Sequence, residues 1–144
     1  MARPPRIPVR LPAGETVTYF ITICVAHRQS VLANESVFSV LKEFCASREG
    51  WHTHFAVVMP DHFHALIRPT RERESKPTTF STRLKRIVRQ QTNAKWKWQA
   101  GVFDRLLRKN EFIEAKWHYI RENPVRAGLV RFWHGWPYFI EGEL

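Results

Sequence analysis

Runs of β-branched and aromatic residues alternate along this chain with segments whose apolar positions recur at helical spacing. Residues 16–25 (TVTYFITICV) are β-branched or aromatic almost throughout and predict a buried strand. Asn34 is placed to cap a helix reaching about residue 48, with Val37, Leu41, Phe44 and Cys45 as its apolar stripe and Gly50 closing it. Residues 51–59 and 62–68 predict two strands joined at Pro60-Asp61, a tight-turn dipeptide, and 70–76 a polar loop. The spacing then predicts a long helix over 78–98. Phe80, Leu84, Ile87, Ala94 and Trp98 share one face with a single polar member, Gln91, while Arg83, Arg86, Gln90, Asn93 and Lys97 line another. Gly101 breaks that helix, and 102–107 reads as a further strand. Asn110 caps a last helix through Phe112, Ile113, Trp117 and Ile120, which Asn123-Pro124 ends.

The resulting order, β-α-β-β-α-β-α, predicts an α+β fold: a ferredoxin-like, split βαβ sandwich with a four-stranded antiparallel sheet and helices on one face, plus a C-terminal helix. Four prolines and three arginines in the first twelve residues exclude a helix or a central strand there, so 1–15 reads as a basic, Pro-rich arm and 16–144 as one domain.

Composition adds little to this outline, but charge adds a direction. With 44% hydrophobic and 13% aromatic residues the chain can bury a core, which argues against a disordered tail or a disulfide-stapled mini-protein. The absence of a long apolar run, and a first segment without an apolar signal core, argue against a membrane span and secretion. Cys24 and Cys45 lack CxxC spacing and read as reduced thiols, so the expectation is a cytoplasmic protein without membrane association. The net charge of +10 is uneven: residues 1–70 carry +2, 71–109 carry +9 and 110–144 carry −1. That concentration is the footprint expected for a polyanion, nucleic acid before an anionic membrane surface. It marks the basic side chains Arg83, Arg86, Arg89, Lys97, Arg105 and Arg108 as candidate phosphate contacts; a solvated basic surface is the plainer alternative.

Two motifs carry chemistry. In His62-Phe63-His64, strand geometry sends both imidazoles to one face and Phe63 to the other, so the pair can grip one divalent ion. His52-Thr53-His54 is an internal comparison. If Pro60-Asp61 is a two-residue turn, residues pair where their numbers sum to 121, which puts His52 and His54 on the face opposite His62 and His64. Those two then read as structural or solvent-facing, although a bulge would upset the parity. Tyr119 and Asn123 stand four apart on the last helix, on the flank of its apolar stripe, where a side chain is anchored by the core yet reaches an open site. An amphipathic tyrosine with its hydroxyl in water suits the same position. Together the pieces suit phosphoryl chemistry: a metal on two imidazoles and an amide oxygen polarises a phosphate, a phenol attacks it, and Trp96, Trp98 or Trp117 stack on unpaired bases.

Residues 58–67 (VMPDHFHALI) resemble the metal-binding strand of HUH single-tyrosine transposases. Residues 98–108 (WQAGVFDRLLR) resemble their next signature, and 119–130 (YIRENPVRAGLV) resemble the nucleophile helix and its exit. Within that group the patterns are most similar to the REP-associated tyrosine transposases, linked to short palindromic repeats in bacterial genomes, over roughly residues 16–138. The resemblance implies His62, His64 and Asn123 as ligands of Mg²⁺ or Mn²⁺. It implies Tyr119 as nucleophile on single-stranded or hairpin DNA, a 5′-phosphotyrosine with a free 3′-hydroxyl, and a nucleoid-associated location. Asp61 stands where the family usually has Asn, and 133–144 diverges from the family's tail. Rival readings are a catalytically silent hairpin-binding derivative, a self-mobilising insertion-sequence transposase acting as a dimer, and a small zinc protein built on the four histidines. Monomer or dimer is left open.

Overall fold

The computed structural model describes residues 17–71 and 74–142. The arm over 1–15 lies outside them. In chain order the elements are β1 (Thr18–Cys24), α1 (Glu35–Ala46), β2 (Trp51–Val58), β3 (His62–Pro69), α2 (Pro77–Thr92), β4 (Phe103–Leu107), α3 (Asn110–Arg126) and β5 (Phe139–Glu141). The strands form one antiparallel sheet in the order β4-β1-β3-β2-β5. Its first four members have the split-βαβ arrangement expected, so the ferredoxin-like α+β class holds. The strand count is corrected from four to five: β5 pairs Phe139 with Val57 and Glu141 with Phe55 along the outer edge of β2. Three residues are too short for an alternation pattern to register.

Strand periodicity divides the core into two layers. Ile21, Ile23, Ala56, Val58, Phe63, Ala65 and Ile67 meet Val37 and Leu41 of α1 and Phe80, Leu84 and Val88 of α2. On the other side Phe55, Val57, Met59, Leu66 and Leu107 receive Ile120 of α3, with Phe20, Ile113 and Trp117 packed beside them. Thus α1 and α2 cover one face, and α3 lies alone on the other.

Local chemistry explains the helix boundaries, including those the periodicity misplaced. The Asn34 side chain accepts from Val37 N–H at 3.0 Å, the N-cap expected. Helix α2 stops at Thr92 rather than reaching 98, because Asn93 takes a left-handed conformation (φ 50°, ψ 46°) and its N–H bonds Arg89. Asparagine tolerates that conformation, whereas most side chains resist it. The chain then turns back along β1, with Ala26 N–H bonding Lys97 and Gln99 N–H bonding Cys24. Lys97 therefore leaves the helical ridge. Asn110 is not a cap: it begins α3, and Lys109 precedes it without a side-chain cap. Nor does Asn123-Pro124 end that helix, since α3 continues through Pro124 to Arg126.

The β2–β3 hairpin follows the predicted register from Val58–Phe63 to Phe55–Leu66, then slips: Thr53 faces Ile67 and His54 is left over as a bulge. Because of that extra residue His52 faces Arg68, on the same side of the sheet as His64, so the opposite-face expectation for His52 is overturned. Distance, not parity, keeps the pairs apart. Arg68 is four residues from His64 along β3, about 13 Å. Among the described residues no three His, Cys, Asp or Glu side chains converge on one point.

Candidate active site

The His62 end of β3 is held from two sides. Pro60 O accepts from the N–H groups of Val31 (2.9 Å) and Leu32 (3.0 Å), and Asp61 O from Val25 N–H (3.0 Å). Met59 N–H closes the turn onto His62 O at 2.8 Å. Between β1 and α1 the backbone passes through two successive left-handed residues, His27 (φ 57°) and Arg28 (φ 52°). This conformation is unfavourable for side-chain-bearing residues, and here it delivers Arg28 to the turn. Arg28 Nε donates to Asp61 Oδ2 at 2.8 Å, and Asp61 Oδ1 lies 2.8 Å from His62 Nδ1. Burial works against ionising Asp61, but the bonds from Arg28 and His62 outweigh it and hold its carboxyl below the ordinary range. An ionised Asp61 favours a proton on His62 Nδ1 and turns Nε2 toward Asn123 on α3.

His64 is oriented in the same way by a different strand. Its Nδ1 lies 2.8 Å from Thr22 Oγ1 on β1, which leaves Nε2 for the site. Burial, then the nearby His62, Arg126 and Lys116, push its pKa down to about 3, so it is a neutral imidazole throughout the physiological range. The two rings lie 4.5 Å apart between centroids.

Helix α3 brings the remaining groups. Asn123 Oδ1 lies 3.1 Å from His62 Nε2. One turn back, the Tyr119 ring stands edge-on to His64 (5.8 Å) and to Phe20 (6.0 Å), itself stacked on His64. Tyr119 remains 41% exposed, which keeps the phenol open to an incoming substrate. Two cations flank it: Arg126 lies 4.1 Å above the ring centroid and bonds the Tyr119 carbonyl, and Lys116 lies 5.0 Å from the centroid. Pro124 has no N–H for the Ile120 carbonyl one turn back, and Arg126 bonds the carbonyl next to it, that of Tyr119. The sequence-predicted quartet of His62, His64, Tyr119 and Asn123 therefore converges. Of the supporting residues, Thr22 comes from β1, Arg28 from the segment after it, and Lys116 and Arg126 from α3 itself; the sequence reading assigned none of them a role.

The donor set suits a hard divalent cation. His62 Nε2 and Asn123 Oδ1 lie within hydrogen-bond distance, and in the Nδ1–H tautomer of His62 both would offer lone pairs to a shared cation. Donors about 2.1 Å from an octahedral ion and at right angles to each other stand about 3.0 Å apart, close to the separation seen. The Asp61 carboxylate and the Thr22 hydroxyl, behind the two rings, already fix their orientation.

The basic residues divide. Arg83 is tied to Glu49, donating to its carbonyl (2.7 Å) and carboxylate (2.8 Å), on the α1/α2 side of the sheet. Arg86 and Arg89 are exposed on α2, on that same side, and Lys97 is exposed in the loop that follows. Arg105 faces Phe20 across β1 and so shares the face of the histidines, with exposed Arg108 just beyond β4. The tryptophans proposed to stack on bases are engaged instead. Trp117 stacks on Phe55 (4.8 Å), and Trp96 and Trp98 pack against the α1/α2 core.

Compared as a sequence, the chain matches no family profile and no curated protein. Compared as a structure, it superposes on a REP-associated tyrosine transposase bound to a REP hairpin with a TM-score of 0.80 at 20% identity, covering 96% of this chain and 82% of that one. The fold is that of a REP-associated tyrosine transposase. A second solved structure, a candidate transposase from Deinococcus radiodurans R1, aligns with a TM-score of 0.53 at 22% identity over 80% of this chain and 97% of that one. The transposase fold thus extends over nearly the whole chain. No helix among the described residues is long and apolar enough to cross a membrane.

Proposed function

We propose that this protein is a metal-dependent single-stranded DNA endonuclease and strand transferase that acts at hairpin DNA, through a 5′-phosphotyrosine on Tyr119. The observation that carries this reading is the meeting on one face of a phenol, two oriented imidazoles and an amide oxygen, with Tyr119 against His64 and Asn123 3.1 Å from His62. The hairpin-bound structural neighbour supports the substrate class.

His62 Nε2, His64 Nε2 and Asn123 Oδ1 would hold Mg²⁺ or Mn²⁺, which when bound supplies charge to a phosphate oxygen. The chain's own groups account for the rest. Asp61 and Thr22 hold the two imidazoles in the required tautomers. Lys116 and Arg126 make the surroundings of Tyr119 cationic, which favours a DNA phosphate there. The Tyr119 oxygen loses its proton and bonds to phosphorus; the bond from phosphorus to the 3′-oxygen breaks, and that oxygen is protonated to a 3′-hydroxyl. The phosphate remains esterified to Tyr119 and to the 5′ carbon of the downstream strand. Attack by another 3′-hydroxyl reverses the step and joins strands.

The deciding experiment is a denaturing gel of labelled hairpin oligonucleotides, taken from repeats flanking the gene, with Mn²⁺ or with EDTA. A covalent adduct that needs Mn²⁺ and vanishes in Tyr119→Phe is expected. Hairpin binding without an adduct under any metal would overturn the enzymatic reading in favour of a silent binder.

A further inference from the structure

The candidate site continues along the sheet toward an exposed aromatic ring that neither its motif nor the comparisons assign. Reading across the strands, Val57 of β2 faces His64 of β3, His64 faces Thr22 of β1, and Thr22 faces Phe103 of β4. Directly opposed residues share a face of the sheet, so Phe103 projects on the same side as His64 with the small side chain of Thr22 between them. Two strand spacings put its backbone about 10 Å from that of His64. Phe103 is 60% exposed on the edge strand, although aromatic surface in water is unfavourable. Single exposed hydrophobes are ordinary. What sets this one apart is its row, and the charge around it. Arg105 follows two residues later on the same face and is exposed, and Lys116 lies near enough to feel its charge while sitting 4.8 Å above the Phe20 ring. The flat apolar ring flanked by cations has the character of a nucleobase-stacking platform beside phosphate-binding groups, not of a lipid or protein contact.

We propose that Phe103 is a base-stacking subsite: it receives one unpaired base of the strand whose phosphate lies at His64 and Tyr119, and Arg105 contacts the phosphate attached to that nucleotide. This rests on the reading of the protein as a single-stranded DNA nuclease and adds to it the position that orders the substrate. The stacking partner is a base in an unpaired stretch, since a base within a duplex has no free π face. Sequence preference at this subsite is weak, because every base offers such a face.

The test is a double-mutant cycle between protein and DNA. Hairpin oligonucleotides with single-stranded flanks, drawn from the repeats beside the gene, carry one abasic nucleotide walked through those flanks. Binding and single-turnover adduct formation are measured for the wild type, Phe103→Ala and Phe103→Trp. Phe103→Ala is expected to bind intact DNA about tenfold more weakly, with Phe103→Trp near wild type. At one flanking position the abasic site should cost the wild type a similar factor and cost Phe103→Ala nothing. Penalties that simply multiply at every position, or a tryptophan variant as weak as alanine, would overturn the subsite while leaving the nuclease reading intact. Should Phe103→Ala fail to fold, a 2-aminopurine walk on the wild-type protein decides: strong quenching at one flanking position on binding supports the platform, and uniform quenching sinks it. A wild type that neither binds nor cleaves the hairpins removes the parent reading, and the subsite with it.

Discussion

Asp61 connects a surface arginine to an imidazole, and the consequences of that one side chain can be measured. It accepts from Arg28 and from His62 Nδ1, and so fixes which nitrogen of His62 faces Asn123. Asp61→Asn keeps a good turn residue but removes the charge that selects the tautomer. We expect Mn²⁺ affinity to fall about tenfold, read by titration calorimetry on the folded protein. His54, the bulge residue, makes a different prediction. Burial, then the charges of His52 and Arg68, lower its pKa from the ordinary 6.5 to about 4. Between those values the unfolded chain binds the proton and the folded one does not, so stability drops as pH falls through the window. His64, lowered to about 3, acts in the same direction. Urea midpoints at pH 7 and pH 4.5 should differ less in His54→Gln than in the wild type. At this scale the sequence was readable where period alone decides orientation, as for His62 and His64. It was unreadable where one inserted residue changes the parity, as for His52, because strand alternation carries no memory of a bulge.

At the scale of elements the decisive piece is α3, which carries Tyr119, Asn123 and Arg126 and lies alone on its face of the sheet. Ile120, fully buried, sits between the two candidate functional residues in sequence and anchors the helix among Phe55, Val57 and Leu66. Ile120→Ala should cost about 2–5 kcal/mol in chemical denaturation. Adduct formation should fall further than the unfolded fraction explains, because α3 no longer holds Asn123 against His62. The flank position of Tyr119 and Asn123 was legible from 3.6-residue spacing. The course of α3 beyond Pro124 was not, since proline normally stops a helix and here α3 runs on to Arg126, whose side chain bonds back to the Tyr119 carbonyl. Asn93 misled in the opposite way: its polar side chain fits a helical ridge, but its tolerance of left-handed backbone made it the terminus.

Over the whole molecule the basic excess of residues 71–109 is distributed on two sides of the sheet, which the linear count could not reveal. Arg83 is already engaged by Glu49 on the α1/α2 side, whereas Arg105 and Arg108 lie toward the candidate site. Arg105→Ala and Arg108→Ala should each lower the slope of log affinity for hairpin DNA against log salt by about one, and Arg83→Ala should leave it nearly unchanged. Equal effects from all three would mean that DNA wraps both faces. The candidate site also draws on widely separated stretches of chain: Thr22 on β1, His62 and His64 on β3, and Tyr119 with Asn123 on α3. During synthesis the histidine strand and its supports leave the ribosome well before the tyrosine exists, and no earlier segment can stand in for it. On the proposed reading, a nascent chain therefore lacks its attacking group until α3 has docked. An enzyme of the proposed kind, assembled in that order, would have no half-made form able to cut DNA.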